Sequence, residues 1–376
     1  MTSPSPPRET AIVPHRRPSR PRGIIASSIL SRMEQLRSLV EQAGGAVHKR
    51  DLVAHGATDR MLTAAVRSGA VHRARRGWYT TFPPGDPRHE AVRIGGRLTG
   101  ASLLALSGAW LWDTPPVTVV VSGNASRLRA RRGAIVVWRS EPTGSGRTGS
   151  GQTRPGRSRP TGRDDPPWAD SLGAALRHAV LHLPFDEAVA LLDWSLVSGS
   201  FTVADLRAVF ADAPGRASSI VDWVDPRSES FLESITRATF TALGHRVELQ
   251  VPVGRRDRRR IDVVVDDEAA VELDGREFHA GTFHADRMKD AAITVAGRTS
   301  LRCGYYMVRD ERLVMVSAVH AILARSAAQS PGAGRCRRGR HDGCLTAPPW
   351  RNPTTRPPRA VAPRARRPAS VAGTSR

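Results

Sequence analysis

The chain is poor in cysteine, lysine and aromatic residues. Three cysteines among 376 residues are too few for a disulfide framework. That excludes the disulfide-stapled secreted scaffolds and points to a reducing, cytoplasmic setting. Cys336 and Cys344 flank His341 in a basic stretch, but this spacing matches no zinc-binding pattern. No apolar run reaches about 18 residues, so no membrane-spanning helix and no membrane partner are expected. The N-terminus lacks the apolar core of a signal peptide. Lysine occurs only at Lys49 and Lys289; arginine carries nearly all the positive charge, as a GC-rich genome would write it.

What is abundant is that positive charge. The formal net charge is +22, and residues 1–24, 144–167 and 331–376, rich in Arg, Pro, Gly and Ser, hold most of it. Such segments bury too little apolar surface to fold, so disorder is expected there. Basic tails attract nucleic acid without reading its sequence. The remainder is nearly balanced and long enough for two or three domains. The expected class is a multidomain α/β protein. Its segments are disordered residues 1–32, a small helical domain over 33–85 and a mixed α/β region over 86–141. A linker over 142–167, a helical connector over 168–225, an α/β domain over 226–328 and a disordered basic tail over 329–376 follow.

Residues 33–43 place Leu36, Leu39, Val40 and Ala43 on one helical stripe, which Gly44-Gly45 ends. Met33 opens this first periodic segment and is a second candidate start codon. A short helix over 49–55 carries Leu52 and Val53 and stops at Gly56. Thr58 is a good N-cap for a third helix over 59–68. There Leu62, Ala65 and Val66 face inward, while Arg60, Thr63 and Arg67 fall on the opposite side. Residues 71–79 read as a β-hairpin bearing Arg73, Arg75 and Arg76. Three helices and a basic wing make a winged helix-turn-helix whose third helix is placed to enter a major groove. The plainer alternative is a small helical domain that packs on protein. Gly44-Gly45, Arg50-Asp51-Leu52, Gly56, Val66-Arg67-Ser68-Gly69 and Arg76-Gly77-Trp78-Tyr79 carry a likeness. On these residues the stretch resembles the N-terminal domain of AbiEi-type antitoxins from abortive-infection (type IV toxin–antitoxin) systems. The resemblance implies binding to double-stranded DNA at the chain's own promoter, transcriptional repression and a cognate toxin protein as partner.

Further on, residues 98–106 read as a helix and 117–122 and 134–139 as strands, with Trp110 and Trp112 packed in their core. In the connector, Leu172, Leu176, Ala179 and Leu183 make one stripe, and Ala188, Leu191, Leu192 and Leu196 the next. Thr202 and Asp205 frame a capping box for a helix over 203–211. The connector shows no residues with evident chemistry.

Residues 228–243 form a helix by pattern, with Leu232, Ile235, Thr239 and Leu243 on its buried stripe and Glu233 at the edge, aimed at the sheet that follows. A strand is expected over 247–251. Two more, over 260–265 and 270–274, are joined by a polar turn. Alternation puts Ile261, Val263 and Val265 on one face and Asp262 with Val264 on the other; Glu272 and Asp274 lie opposite Val271 and Leu273. Carboxylates in strands otherwise built from Val, Ile and Leu are costly unless solvated or bound to a cation. A hard divalent ion such as Mg2+ suits them. A helix over 285–296, strands over 299–302 and 305–308, and a closing helix over 311–325 complete the segment.

This order of elements carries Ser230-Phe231-Leu232-Glu233-Ser234, then Asp262. Glu272-Leu273-Asp274-Gly275-Arg276-Glu277-Phe278-His279 and Asp286-Arg287-Met288-Lys289-Asp290 follow. It resembles the PD-(D/E)XK nuclease superfamily, and within it the branch related to very-short-patch repair (Vsr) endonucleases. The resemblance implies a restriction-endonuclease-like core and Mg-dependent hydrolysis of phosphodiester bonds in DNA. On that likeness Asp262 is the main metal ligand, and Glu272 is a second ligand or positions the attacking water. Glu233 is an outer acidic group, His279 a general acid or base and Arg287 a phosphate partner. Asp274 stands where the superfamily usually has a lysine, so no cation is supplied at that place; the Vsr-like branch also dispenses with it. Three readings stay open: a DNA endonuclease, a non-catalytic DNA-binding regulator or antitoxin, and a protein-interaction adaptor.

Overall fold

The computed structural model describes residues 22–126, 128–129, 133–139, 166–253, 259–275 and 283–329. Of the linker expected over 142–167 and the tail expected over 329–376, residues 142–165 and 330–376 lie outside the described residues, as do residues 1–21. The fold is mixed α/β with three small sheets. No described helix is long and apolar enough to cross a membrane. Two units divide the chain. One takes the described residues up to Leu98, those of Val117–Gly146 and those of Thr161–Asp170; the other takes Thr99–Pro116 and the described residues from Ser171 onward. The region read as one segment over 86–141 is therefore shared between them.

The first unit opens with α1 (Arg22–Gln42), β1 (Ala46–His48), α2 (Lys49–Ala54) and α3 (Asp59–Arg67). The strands β2 (His72–Arg75) and β3 (Trp78–Thr80), the helix α4 (Pro87–Ile94), and β4 (Arg97–Leu98), β5 (Thr118–Ser122) and β6 (Ile135–Arg139) follow. The first helix begins at Arg22, eleven residues before the expected start and inside a stretch read as disordered. No proline interrupts the chain between Arg22 and Gln42, so nothing bars the helix from running upstream. It buries Met33, Leu36 and Val40. Gly44 and Gly45 end it at φ 78° and 82°, and a Cβ on Gly45 would stand 2.3 Å from the Phe82 ring. Thr58 Oγ1 caps α3 by accepting from Met61 N at 3.3 Å. Leu62 and Ala65 are buried as expected, but Val66 is exposed. The strands β1, β3 and β2 form an antiparallel sheet in that order, with a bulge between Arg73 and Arg75.

In the second sheet, ordered β4-β5-β6, β4 is antiparallel to β5 and β5 parallel to β6. Leu98, expected to open a helix, instead pairs with Val119. The reason is local: Gly100 at φ 62° separates it from the helix that follows, and Leu98 N donates to Trp168 O at 2.6 Å.

The second unit holds α5 (Gly100–Leu104), α6 (Leu172–His182), α7 (Phe185–Val197), α8 (Val203–Phe210) and α9 (Phe231–Ala242). The strands β7 (Val247–Pro252), β8 (Arg260–Val265) and β9 (Ala269–Asp274) come next. They are followed by α10 (Phe283–Val295), β10 (Thr299–Gly304), α11 (Tyr305–Arg309) and α12 (Arg312–Gln329). The capping box of Thr202 and Asp205 forms as read. Leu172 and Leu243, placed on buried stripes, are exposed. The sheet runs β10-β9-β8-β7, with β7, β8 and β9 antiparallel and β10 parallel to β9. Val263, Val265, Val271 and Cys303 pack with Ile235 and Phe240 of α9 and Met315 and Val319 of α12. Ile293 of α10 packs with Ile261, Val264 and Ala270.

Two expectations fail here. Residues 305–308 form α11 instead of a strand: Tyr305 lies edge-on to Trp112, with centroids 5.2 Å apart, and tertiary packing overrides the β preference of Tyr and Val. Ile261 does not share a cluster with Val263 and Val265 but packs with Val264. The strict alternation fails at Asp262, where β7 and β8 lose their pairing at Gln250, held at φ 55°, and the β8–β9 ladder has already ended at Val263.

Candidate functional site

The place where β8 and β9 part is where the carboxylates gather. Asp262, one residue beyond the last paired position, turns its Oδ2 to accept from Leu273 N at 2.8 Å. A side chain thus replaces the carbonyl that a continuing ladder would have supplied. Glu272 of β9 is 7 % exposed at its side chain, and Lys289 of α10 reaches in and pairs with Glu272 Oε2. The same Nζ lies 3.9 Å from Asp262 Oδ1. Glu272 Oε1 is buried and has no hydrogen-bond partner among the described residues. Burial pushes the Glu272 carboxyl up to about 7, helped by Asp262 and opposed by Lys289 and Arg302. Asp262 is also raised, by burial above all, against the Leu273 amide and Lys289.

Glu233 is the third acid. Ser230 caps α9 by accepting from Glu233 N at 3.3 Å, which sets the first turn. Glu233 Oε2 then accepts from Glu229 N at 2.9 Å and from Gln250 Nε2 at 2.8 Å. Burial raises its pKa, and Asp262 adds to the shift. Gln250 holds φ 55° on β7, an unusual conformation for a side-chain-bearing residue. The α9 entrance is anchored from α7. Buried Asp193 accepts from Asp225 N at 2.8 Å, from Ser228 Oγ at 3.2 Å and from Arg237 Nη2 at 2.8 Å. A cleft of about 420 Å3 runs beside Glu229 and Gln250, with Arg227 and Arg260 on its walls.

The structure therefore brings Glu233, Asp262 and Glu272 into one electrostatically linked group. Asp274 sits at the end of β9, opposite Gly304, 3.9 Å from Arg302 Nη1, with its side chain 47 % exposed. Arg287 is exposed on α10, about 200° around the helix from Lys289. His279 lies outside the described residues. Among the described residues no three or more His, Cys, Asp or Glu side chains are arranged to hold a metal ion. Lys289, Gln250 and Asp193 were missed. Lys289 stood inside the quoted helix motif, and as one of only two lysines it carried a signal that could have been read. Gln250 and Asp193 had none, since their partners lie 17 or more residues away.

In the first unit the predicted basic residues separate into two groups. Arg60, Thr63 and Arg67 are exposed on α3, as are Arg73 of β2 and Arg76 of the following turn. Thr63 Oγ1 is already engaged, donating to Asp59 O at 2.8 Å. Arg75 is different. It is half-buried and lies over Trp78, 5.3 Å from the ring centroid. No known family model matches the chain, and no curated protein matches it.

Proposed function

We propose that this chain binds double-stranded DNA through a winged helix-turn-helix in its first unit and hydrolyses phosphodiester bonds with a PD-(D/E)XK-like core in its second. The observation that supports the nuclease reading best is the convergence of Glu233, Asp262, Glu272 and Lys289 where β8 and β9 part. The donor set fits a hard divalent cation, Mg2+ being the expected one. Asp262 and the orphaned Glu272 Oε1 are the residues that would hold it, with the remaining ligands coming from solvent and substrate. A cation bound there supplies Lewis-acid stabilisation of charge on the phosphate. The protein's own groups do the rest. Burial pushes the Glu272 carboxyl up, and a cation bound there would favour its charged form again. Gln250 and the Glu229 amide hold Glu233 in place. Lys289 puts a positive charge beside the acidic pair, the role for which the sequence showed no residue. By likeness to the family motif alone, Arg287 is assigned as phosphate partner and His279 as acid or base.

Full-length protein should nick supercoiled plasmid with Mg2+ or Mn2+, and Asp262→Ala and Glu272→Ala should abolish nicking while leaving DNA binding intact. One observation favours a second reading. The pairing of Lys289 with Glu272 neutralises the acidic pair without any metal, as suits a non-catalytic regulator or antitoxin that grips DNA or a cognate toxin. If wild type cleaves nothing with either metal yet shifts its own promoter fragment, the nuclease reading fails and the regulator stands.

A further inference from the structure

The first unit contains a cavity of about 270 Å3, lined in part by Arg75, the half-buried member of the wing arginines. Among the described residues its walls carry three guanidinium groups, from Arg75 of β2, Arg97 of β4 and Arg139 of β6, and no acidic residue. Asp170, behind the wall, accepts from Arg139 Nη1 with both carboxylate oxygens, at 3.0 and 2.8 Å. Among the described residues Arg75 has no such carboxylate, and its Nε is buried without a hydrogen-bond partner. Burial, with Arg129 nearby, holds its pKa below the ordinary value. A buried cation left without a counter-ion is costly, and an anion in the cavity beside Arg75 would offset that cost.

Two glycines shape the place. Gly95 ends α4 at φ 108°, and a Cβ there would stand 2.5 Å from Arg75 Nη1. Gly96 passes so close to β5 that a Cβ would fall 2.3 Å from Val120 O. Bare backbone thus lets the guanidinium lie between the helix end and the indole of Trp78, 5.3 Å beneath it. The volume is several times one water's share of about 30 Å3 and near the lower limit, about 300 Å3, of small-ligand pockets. That is room for a phosphate with its sugar.

We propose that this cavity binds the phosphate of a nucleotide, with Arg75 and Arg97 on the phosphate oxygens. The nucleotide comes either free, as a 5′-monophosphate, or as the phosphorylated end of a DNA strand; the recognised chemistry is the same. The site is separate from the exposed arginines of α3 and the wing, and it does not depend on their binding DNA.

The test is calorimetric titration of the full chain with each of the four nucleoside 5′-monophosphates, with adenosine as the uncharged control. Wild type should bind at least one monophosphate and not adenosine. Arg75→Gln and Arg97→Gln should each weaken binding about tenfold or more, whereas exposed Arg73→Gln should not. If no monophosphate binds, the DNA end is tested by comparing duplexes with 5′-phosphate and 5′-hydroxyl ends. Tighter binding of the phosphorylated duplex, lost in Arg75→Gln, assigns the site to DNA ends. Wild type indifferent to the phosphate in both formats overturns the proposal, as does unchanged affinity in both glutamine variants. Monophosphate binding by a chain that binds no duplex would leave this inference standing and remove the DNA-binding reading.

Discussion

Lys289 is the residue on which the acidic group of the second unit depends. It is 16 % exposed at its side chain and pairs with a glutamate that is 7 % exposed. Breaking one side of a buried pair costs more than the pair is worth, because the other charge stays behind unpaired. Lys289→Met should lower stability by about 2–3 kcal/mol in urea unfolding with chelator present, and Mg2+ should restore part of the loss. Lys289→Arg should keep most of the stability. Glu187 of α7 offers a cleaner titration, well away from the proposed ligands. Burial and then Asp186 push its carboxyl from 4.5 up to about 7, against Arg312 and Arg309. Its folded pKa is raised, so the native state holds the proton more tightly than the unfolded chain. Stability therefore falls as pH climbs from about 4.5 to about 7 and levels off above. Glu187→Gln should match wild type near pH 5. By pH 8 it should be more stable by about 1–2 kcal/mol after solvent screening, as melting curves across that range would show. The Glu187 environment was not legible in the sequence, where it is one acid on a helix; Lys289 stood out only as one of two lysines, with nothing to say which acids it would meet.

At the scale of elements, period and punctuation carried most of the reading. The span of β8 was legible because Ile261 and Val263–Val265 form a β-branched run between polar breaks, and α3 was legible because Thr58 caps it. Two features were not. The departure of Ile261 from its expected cluster follows from the break in β7–β8 pairing at Gln250 and the end of the β8–β9 ladder, and residue type says nothing of either. The helix at Tyr305–Arg309 follows from a partner, Trp112, nearly 200 positions earlier. Close backbone approach was equally hidden. Gly96 lies where the chain passes close to β5. Gly96→Ala would force a Cβ to 2.3 Å from Val120 O, a backbone atom that cannot swing aside. The variant should lose about 2 kcal/mol or more, seen as a lower melting temperature.

For the whole molecule the governing quantity is where positive charge is exposed. Arg60 and Arg67 stand free of the core on α3, so if the chain binds DNA as proposed, what they add to affinity should be largely electrostatic and released by salt. Replacing both with alanine should reduce the slope of log affinity against log salt by roughly 1.8 for two lost phosphate contacts. An unchanged slope in fluorescence-anisotropy titrations would remove α3 from the DNA-binding face. Arg75 should behave otherwise, because its guanidinium is withdrawn into a cavity.

The sequence by itself determined the local things: the α/β character, the stops at Gly44-Gly45, the caps at Thr58 and Thr202, and the presence of costly acids in β8 and β9. Each of these depends on neighbours within about one helical turn or one strand, so residue order is enough. The tertiary structure alone decided which distant groups meet. It set Lys289 between Asp262 and Glu272, Gln250 on Glu233, and Arg75 against the bare backbone of Gly95. Those meetings depend on where ladders end and where helices cross, and these follow from packing of the whole chain and not from any short run of it.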